Sequence, residues 1–131
     1  IVASFLVKHL RIHWMEGEKH FKNCLVDYNE ASNVAQWQWV AGCGADAAPY
    51  FRIFNPILQG EKFDKEGIYT KKWVPELLNM PNKFLYKPWE LEKKYQEQIK
   101  VVIGQNYPGP MVDHVKARNA ALEAFQKIKK N

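Results

Sequence analysis

Apolar side chains at Ala3, Leu6, Leu10 and Trp14 recur at i, i+3, i+7 and i+11, which predicts one helical face over residues 1–14. No Ser, Thr, Asp or Asn precedes that face to satisfy the free N–H groups of a first turn, so the helix reads as cut from a longer one. Gly17 interrupts the pattern, and residues 18–26 resume it with Phe21, Cys24 and Leu25 turned inward. Asp27 to Asn29 form a polar corner, after which alanines and tryptophans predict a helix over 30–40 that the Gly42-Cys43-Gly44 breaker ends. Asp46 is expected to cap a helix over 47–54, with Pro49 tolerated in its first turn and Asn55-Pro56 as its stop.

Beyond residue 56 the apolar periodicity weakens. Residues 59–67 read as a polar loop, 68–79 as a short helix broken by Pro75, and 81–88 as an extended connection. The Glu and Lys content of residues 89–98 predicts a further helix, while Val101-Val102-Ile103 is β-prone without a second strand to pair with and is read as irregular. Asp113 caps a last helix whose buried stripe is Ala121, Leu122, Phe125 and Ile128, with Lys127, Lys129 and Lys130 at its dipole-favoured C-terminal end. The expected fold class is all-α, and 131 residues with 47% hydrophobic content suit one core and a single domain.

Charge and motifs narrow the chemistry only slightly. Nineteen Lys and Arg against fourteen Asp and Glu give a formal net charge of +5, which suits a polyanionic partner and also many unrelated basic proteins. Cys24 and Cys43 have no C-x-x-C spacing and read as free thiols of a reducing cytoplasm. Apolar runs such as residues 1–7 fall far short of the ~20 residues that span a bilayer. No export signal is recognisable, so a cytoplasmic location is expected. His9 and His13 have metal-ligand spacing but no glutamate between them and no third ligand, so no metal is expected and both read as solvated. The G-x-G-x-x-A run at residues 42–47 follows no strand, which removes the dinucleotide reading.

The dense part of the chain is DYNEASNVAQWQWVAGCGADAAPYFRIFNP, residues 27–56, followed by QGEKFD at 59–64 and WVPEL at 73–77. Trp37 and Trp39 stand two apart and so face nearly opposite sides of a helix. Asp27, Asn29 and Asn33 suit helix capping, and equally suit the polar edge of a buried ring system. An Arg52–Asp46 ion pair competes with any external role for Arg52.

These motifs resemble the FAD-binding, lesion-binding part of the DNA photolyase and cryptochrome family, most closely its bacterial class I cyclobutane pyrimidine dimer photolyases, over nearly the whole chain. The resemblance implies a C-terminal portion of the helical FAD-binding domain, without the N-terminal antenna domain or the upstream half of the FAD domain. It implies that Trp37 passes electrons to the flavin and that Trp14, in the context Ile12 to Glu18, is the middle tryptophan of that relay. Trp39 would line the lesion pocket; Asp27, Tyr28, Asn29 and Asn33 would bind FAD; Arg52, Gln59 and Lys62 would contact DNA around the lesion. Asn33 matches the residue beside flavin N5, an asparagine in photolyases and typically an aspartate in plant cryptochromes, whereas Asn29 replaces an aspartate common in bacterial photolyases.

The implied activity is light-driven repair of cyclobutane dimers in DNA by electron transfer from reduced FAD. A cryptochrome-type blue-light receptor is the alternative, and a flavin-free DNA-binding module a second. The antenna pigment is not specified by these residues. The isolated piece is expected to bind FAD weakly or not at all, to leave Asp27 exposed without its arginine partner, and to self-associate through a truncated apolar face.

Overall fold

The computed structural model describes residues 1–48 and 51–129. These are helical, and no strand occurs among them. The apolar positions collect in two places, so the chain forms two compact units where one was expected: Ile1–Phe54 with Val112–Asn131, and Asn55–Met111.

In the first unit, α1 (Val2–Ser4) runs directly into a π-helical turn, Phe5–His9, closed by Leu10 N–H donating to the Phe5 carbonyl at 3.1 Å. The helix expected to reach Trp14 stops there, because Arg11 takes a left-handed φ of +56°. Trp14 instead opens α2 (Trp14–Cys24), whose N-cap is His13, with the ring Nδ1 accepting from Met15 N–H at 3.4 Å. Gly17 lies inside this helix and does not break it. A Cβ at Gly17 would fall 2.2–2.7 Å from three atoms of the Trp37 ring, so the missing side chain is what lets the indole lie against α2. Phe21 is half-buried as expected, whereas Cys24 and Leu25 are exposed, since the face α2 buries is the one carrying Gly17 and Phe21.

Helix α3 (Glu30–Ala41) begins where Asn29 Oδ1 accepts from Ser32 N–H at 3.0 Å and ends at Gly42 with φ +78°. The helix expected over 47–54 does not form: 47–48 and 51–54 are irregular, and the proposed first-turn role of Pro49 falls outside the described residues. Tertiary bonds hold this backbone, with Ala48 N–H donating to the Trp39 carbonyl at 3.3 Å and Lys8 Nζ donating to the Arg52 carbonyl. Helix α7 (His114–Lys129) returns to this unit, capped by Asp113 Oδ1 accepting from Lys116 N–H at 2.9 Å. Ala121 is buried, Leu122 and Phe125 are half-buried, and Phe125 stacks on Phe51 at 4.3 Å. Ile128 departs from the expected stripe and is exposed, while Lys130 lies outside the described residues.

The second unit opens with a reversal. Asn55-Pro56, read as a stop, starts α4 (Pro56–Phe63): Asn55 Oδ1 accepts from Ile57 N–H at 3.0 Å and Leu58 N–H at 3.3 Å, and Pro56 takes the first helical position. The polar loop expected from residue 59 is therefore helical as far as Phe63. Asp64 then caps α5 (Ile68–Trp73) through both carboxylate oxygens, from Tyr69 N–H at 3.1 Å and Thr70 N–H at 2.8 Å. Tyr86 closes the knot by donating its hydroxyl to Asp64 Oδ2 at 2.8 Å. Burial works to raise the Asp64 pKa, but the hydrogen bonds from Thr70, Tyr86 and Tyr69 outweigh it and hold the carboxyl at about 2.

The helix expected over 68–79 breaks at Pro75 as read, continuing as a 3₁₀ turn at Pro75–Leu77; 3₁₀ turns at Asn82–Phe84 and Pro88–Glu90 replace the extended connection expected over 81–88, and α6 covers only Lys93–Gln98 of the helix expected over 89–98. Residues 101–103 are irregular as expected apart from an isolated Ile103–Tyr107 bridge. Leu77, Met80, Leu85, Leu91 and Val101 form this unit's core. Buried Gln96 ties its end together, donating to the Leu91 carbonyl and accepting from Ile103 N–H at 3.0 Å.

Candidate functional site

The two tryptophans of α3 part company as their spacing requires. Trp37 is 2% exposed, wedged between α3 and α2 with Phe21 edge-on at 5.1 Å, whereas Trp39 is 39% exposed. Trp14, at the start of α2, is half-buried and lies 5.8 Å from the His13 ring.

The Trp37 indole is held by a polar chain. Its Nε1–H donates to Asn33 Oδ1 at 3.1 Å, one helical turn back. Asn33 Nδ2 donates in turn to the Glu18 carbonyl at 3.1 Å and to Glu18 Oε1 at 3.2 Å, and Tyr28 donates its hydroxyl to the same Oε1 at 3.1 Å. Burial and then the hydrogen bond and charge of Glu18 push the Tyr28 phenol pKa up. Sequence reasoning missed Glu18. Its signal was its place directly after Gly17, the residue that admits the indole, which sets a carboxylate beside that ring's polar partner.

The amide of Asn33 is thereby oriented. Its Nδ2 donates to Glu18 and one oxygen lone pair is taken by Trp37, so the second lone pair can accept from a further group. Asn29 spends its oxygen on the α3 cap, which leaves its Nδ2 as a donor, and Asp27 is exposed. Asn33 and Asp27 thus offer acceptors and Asn29 a donor, the kinds of group that the N–H and C=O edge of an isoalloxazine ring requires.

The residues matched to DNA contacts fall in both units. Arg52, in the first, is exposed, with its guanidinium 4.2 Å from the Phe54 ring centre; no ion pair joins it to Asp46 among the described residues. Gln59 and Lys62, in the second, stand three apart on α4, half-buried and exposed respectively, with the Lys62 ammonium 5.1 Å from the Phe63 ring. A separate cleft of about 280 Å³ in the first unit is walled by Val7, Ile12, Phe51, Ala121 and Phe125 and carries Lys8. Burial, followed by the charge of Arg52, lowers the Lys8 pKa. His9 corrects another expectation: it is 5% exposed and not solvated. Among the described residues no cluster of metal-ligating side chains occurs, and no helix is long and apolar enough to cross a membrane.

Residues 1–127 match the family described as the FAD binding domain of DNA photolyase, and the chain belongs to that family. It is 57% identical over 130 residues to a deoxyribodipyrimidine photo-lyase of Agrobacterium fabrum, covering 99% of this chain and 27% of that protein. Against the deoxyribodipyrimidine photo-lyase of Escherichia coli the identity is 48%, covering 99% and 26%. Among solved structures, a bacterial class III photolyase from Agrobacterium tumefaciens superposes with a TM-score of 0.91 at 56% identity, covering 99% of this chain and 27% of that one. A Synechocystis cryptochrome gives 0.84 at 39% identity, covering 93% and 25%. The chain thus spans about a quarter of the length of the curated relatives it matches.

Proposed function

We propose that this chain is the C-terminal portion of the FAD-binding domain of a deoxyribodipyrimidine photo-lyase, acting within a longer protein that repairs cyclobutane pyrimidine dimers in DNA under light. The single observation that carries the reading is the division of labour on α3, with Trp37 buried and hydrogen-bonded and Trp39 open to solvent. Bound FAD would supply the electron that splits the dimer. Trp37 would then serve electron supply to the cofactor, with Trp14 behind it, and Asn33 would hold the indole N–H while offering its free lone pair to the ring. Asp27, Tyr28 and Asn29 would complete the polar edge of the cofactor site, Tyr28 acting through Glu18. Trp39 would pack on the extruded lesion, and Arg52, Gln59 and Lys62 would hold the surrounding phosphates.

The test is repair of a dimer-containing oligonucleotide by the full-length protein in light and dark. Absence of light-dependent repair, with FAD bound and reduced, would sink the reading in favour of the cryptochrome-type receptor, which the Synechocystis likeness keeps in view and Asn33 disfavours. For the 131-residue chain alone the proposal is weak FAD binding or none, self-association through exposed apolar surface, and no repair. Titration with oxidised FAD checks this, and submicromolar affinity would refute it.

A further inference from the structure

Two histidines 105 residues apart in sequence meet inside the first unit. Nε2 of His9, on the π-helical turn, lies 2.8 Å from Nδ1 of His114, the first residue of α7. The rings are 5.0 Å apart, and His9 is sandwiched further by Phe5 at 5.1 Å. At that separation one proton must sit between the facing nitrogens, so one ring donates and the other accepts. The pair can take up one added proton on an outer nitrogen and keep the bond. With two added protons both facing nitrogens carry hydrogen, and the bond becomes a repulsive contact between two cations.

We propose that the His9–His114 pair is a pH-sensitive clasp that holds α7 on the N-terminal turn near neutral pH and releases it in mildly acidic solution. Several features favour release over accommodation. His9 is buried, which disfavours its charged form, and the charge of His114 adds to that, so its pKa is lowered. His114 sits at the positive end of the α7 dipole, where a cation is unwelcome.

No carboxylate pairs with either ring among the described residues. On α7, Asp113 is committed to the helix cap and Glu123 is exposed; on α2, Glu18 is committed to Asn33 and Tyr28, and Glu16 is exposed. Glu30, the one acid of α3, lies 3.8 Å from Lys22. The neighbouring charge on the π-helical turn is another cation, Lys8, engaged with the Arg52 carbonyl and the Phe51 ring. Nothing there compensates a second imidazolium.

The sign follows. The unfolded chain binds both protons as pH falls below about 6.5, while the folded pair withholds one, so the ratio of folded to unfolded chain falls by about tenfold per pH unit for that proton. The experiment is an imidazole NMR titration of the chain, with amide exchange followed at Ala117 to Phe125. One ring is expected to stay neutral well below the titration of a free-peptide imidazole, and α7 amides to lose protection before those of α3. A His9→Phe variant, which keeps the stack on Phe5, should lose this selective acid response of α7. The inference is overturned if both rings charge together at the free-peptide pH, or if α7 and α3 open in parallel.

Discussion

Replacing Gly17 with alanine sets two known effects against each other, and the structure decides between them. Ala in a helix interior is favoured over Gly by about 0.8–1.0 kcal/mol, so intrinsic propensity makes Gly17→Ala stabilising. The new methyl group would stand 2.2, 2.4 and 2.7 Å from Cη2, Cζ3 and Cζ2 of Trp37, distances that the contact cannot keep. The indole cannot easily step aside, because it is buried, edge-on to Phe21 and tied to Asn33. Overpacking a filled core costs about 1–3 kcal/mol, and a clash on three ring atoms belongs at or above the top of that range.

The net expectation is destabilisation by about 2 kcal/mol, or roughly 8–16 °C in the melting midpoint of a unit this size. The assay is thermal and urea unfolding, with near-ultraviolet circular dichroism reporting the Trp37 environment. The decisive arm is the Trp37→Phe background, where the three crowding atoms of the outer indole ring are gone. There Gly17→Ala should become neutral or stabilising, giving a coupling energy of about 2–3 kcal/mol between two positions 20 residues apart in sequence. Equal, additive stabilisation by Gly17→Ala in both backgrounds would refute the packing argument outright.

Other outcomes follow from the same geometry. Asp64 has its folded pKa lowered to about 2 from 3.8, so its contribution to stability is complete above the unfolded value and fades as pH falls from about 4 toward 2; Asp64→Asn should flatten that part of an acid-unfolding curve. Asn55→Ala removes the acceptor for two N–H groups and should cost about 1 kcal/mol in urea unfolding, with helical signal lost from α4. Trp39→Ala should leave the melting midpoint nearly unchanged while lowering dimer affinity in the full-length protein, whereas Trp37→Ala should cost about 3–5 kcal/mol of stability; equal stability losses would contradict their opposite placement. Glu18→Gln should bring the Tyr28 phenol titration back toward 10, read from tyrosinate absorbance.

The elements most legible in the sequence were those whose signals are local. Helix α3 and its caps follow from Asn29, the alanine-rich middle and Gly42, and α7 follows from Asp113 and its apolar stripe. The opposite facing of Trp37 and Trp39 needed only the helical repeat. The misreadings share a cause: each turned on a residue whose role is set by a distant partner or by competing local uses. Gly17 looked like a breaker because the indole that needs the gap is 20 residues away. Asn55-Pro56 looked like a stop because the pair also serves as an N-cap and first helical residue. Residues 47–54 looked helical, yet tertiary hydrogen bonds from Ala48 to Trp39 and from Lys8 to Arg52 claim their backbone. His9 looked solvated because His114 lies at the far end of the chain.

The first unit is assembled from two stretches of the chain that residues 55–111 separate, and that carries a consequence for its biosynthesis. By the time the stretch bearing Trp37 and Trp39 has left the ribosome, the helix that completes its fold has not yet been translated. At about 5–20 residues per second, the interval between making His9 and making its partner is on the order of 5–20 s. Throughout that delay Phe51 has no Phe125 to stack on, and the flank of residues 1–54 that α7 covers waits for its partner, a window in which chaperone occupancy would matter more than after α7 is made.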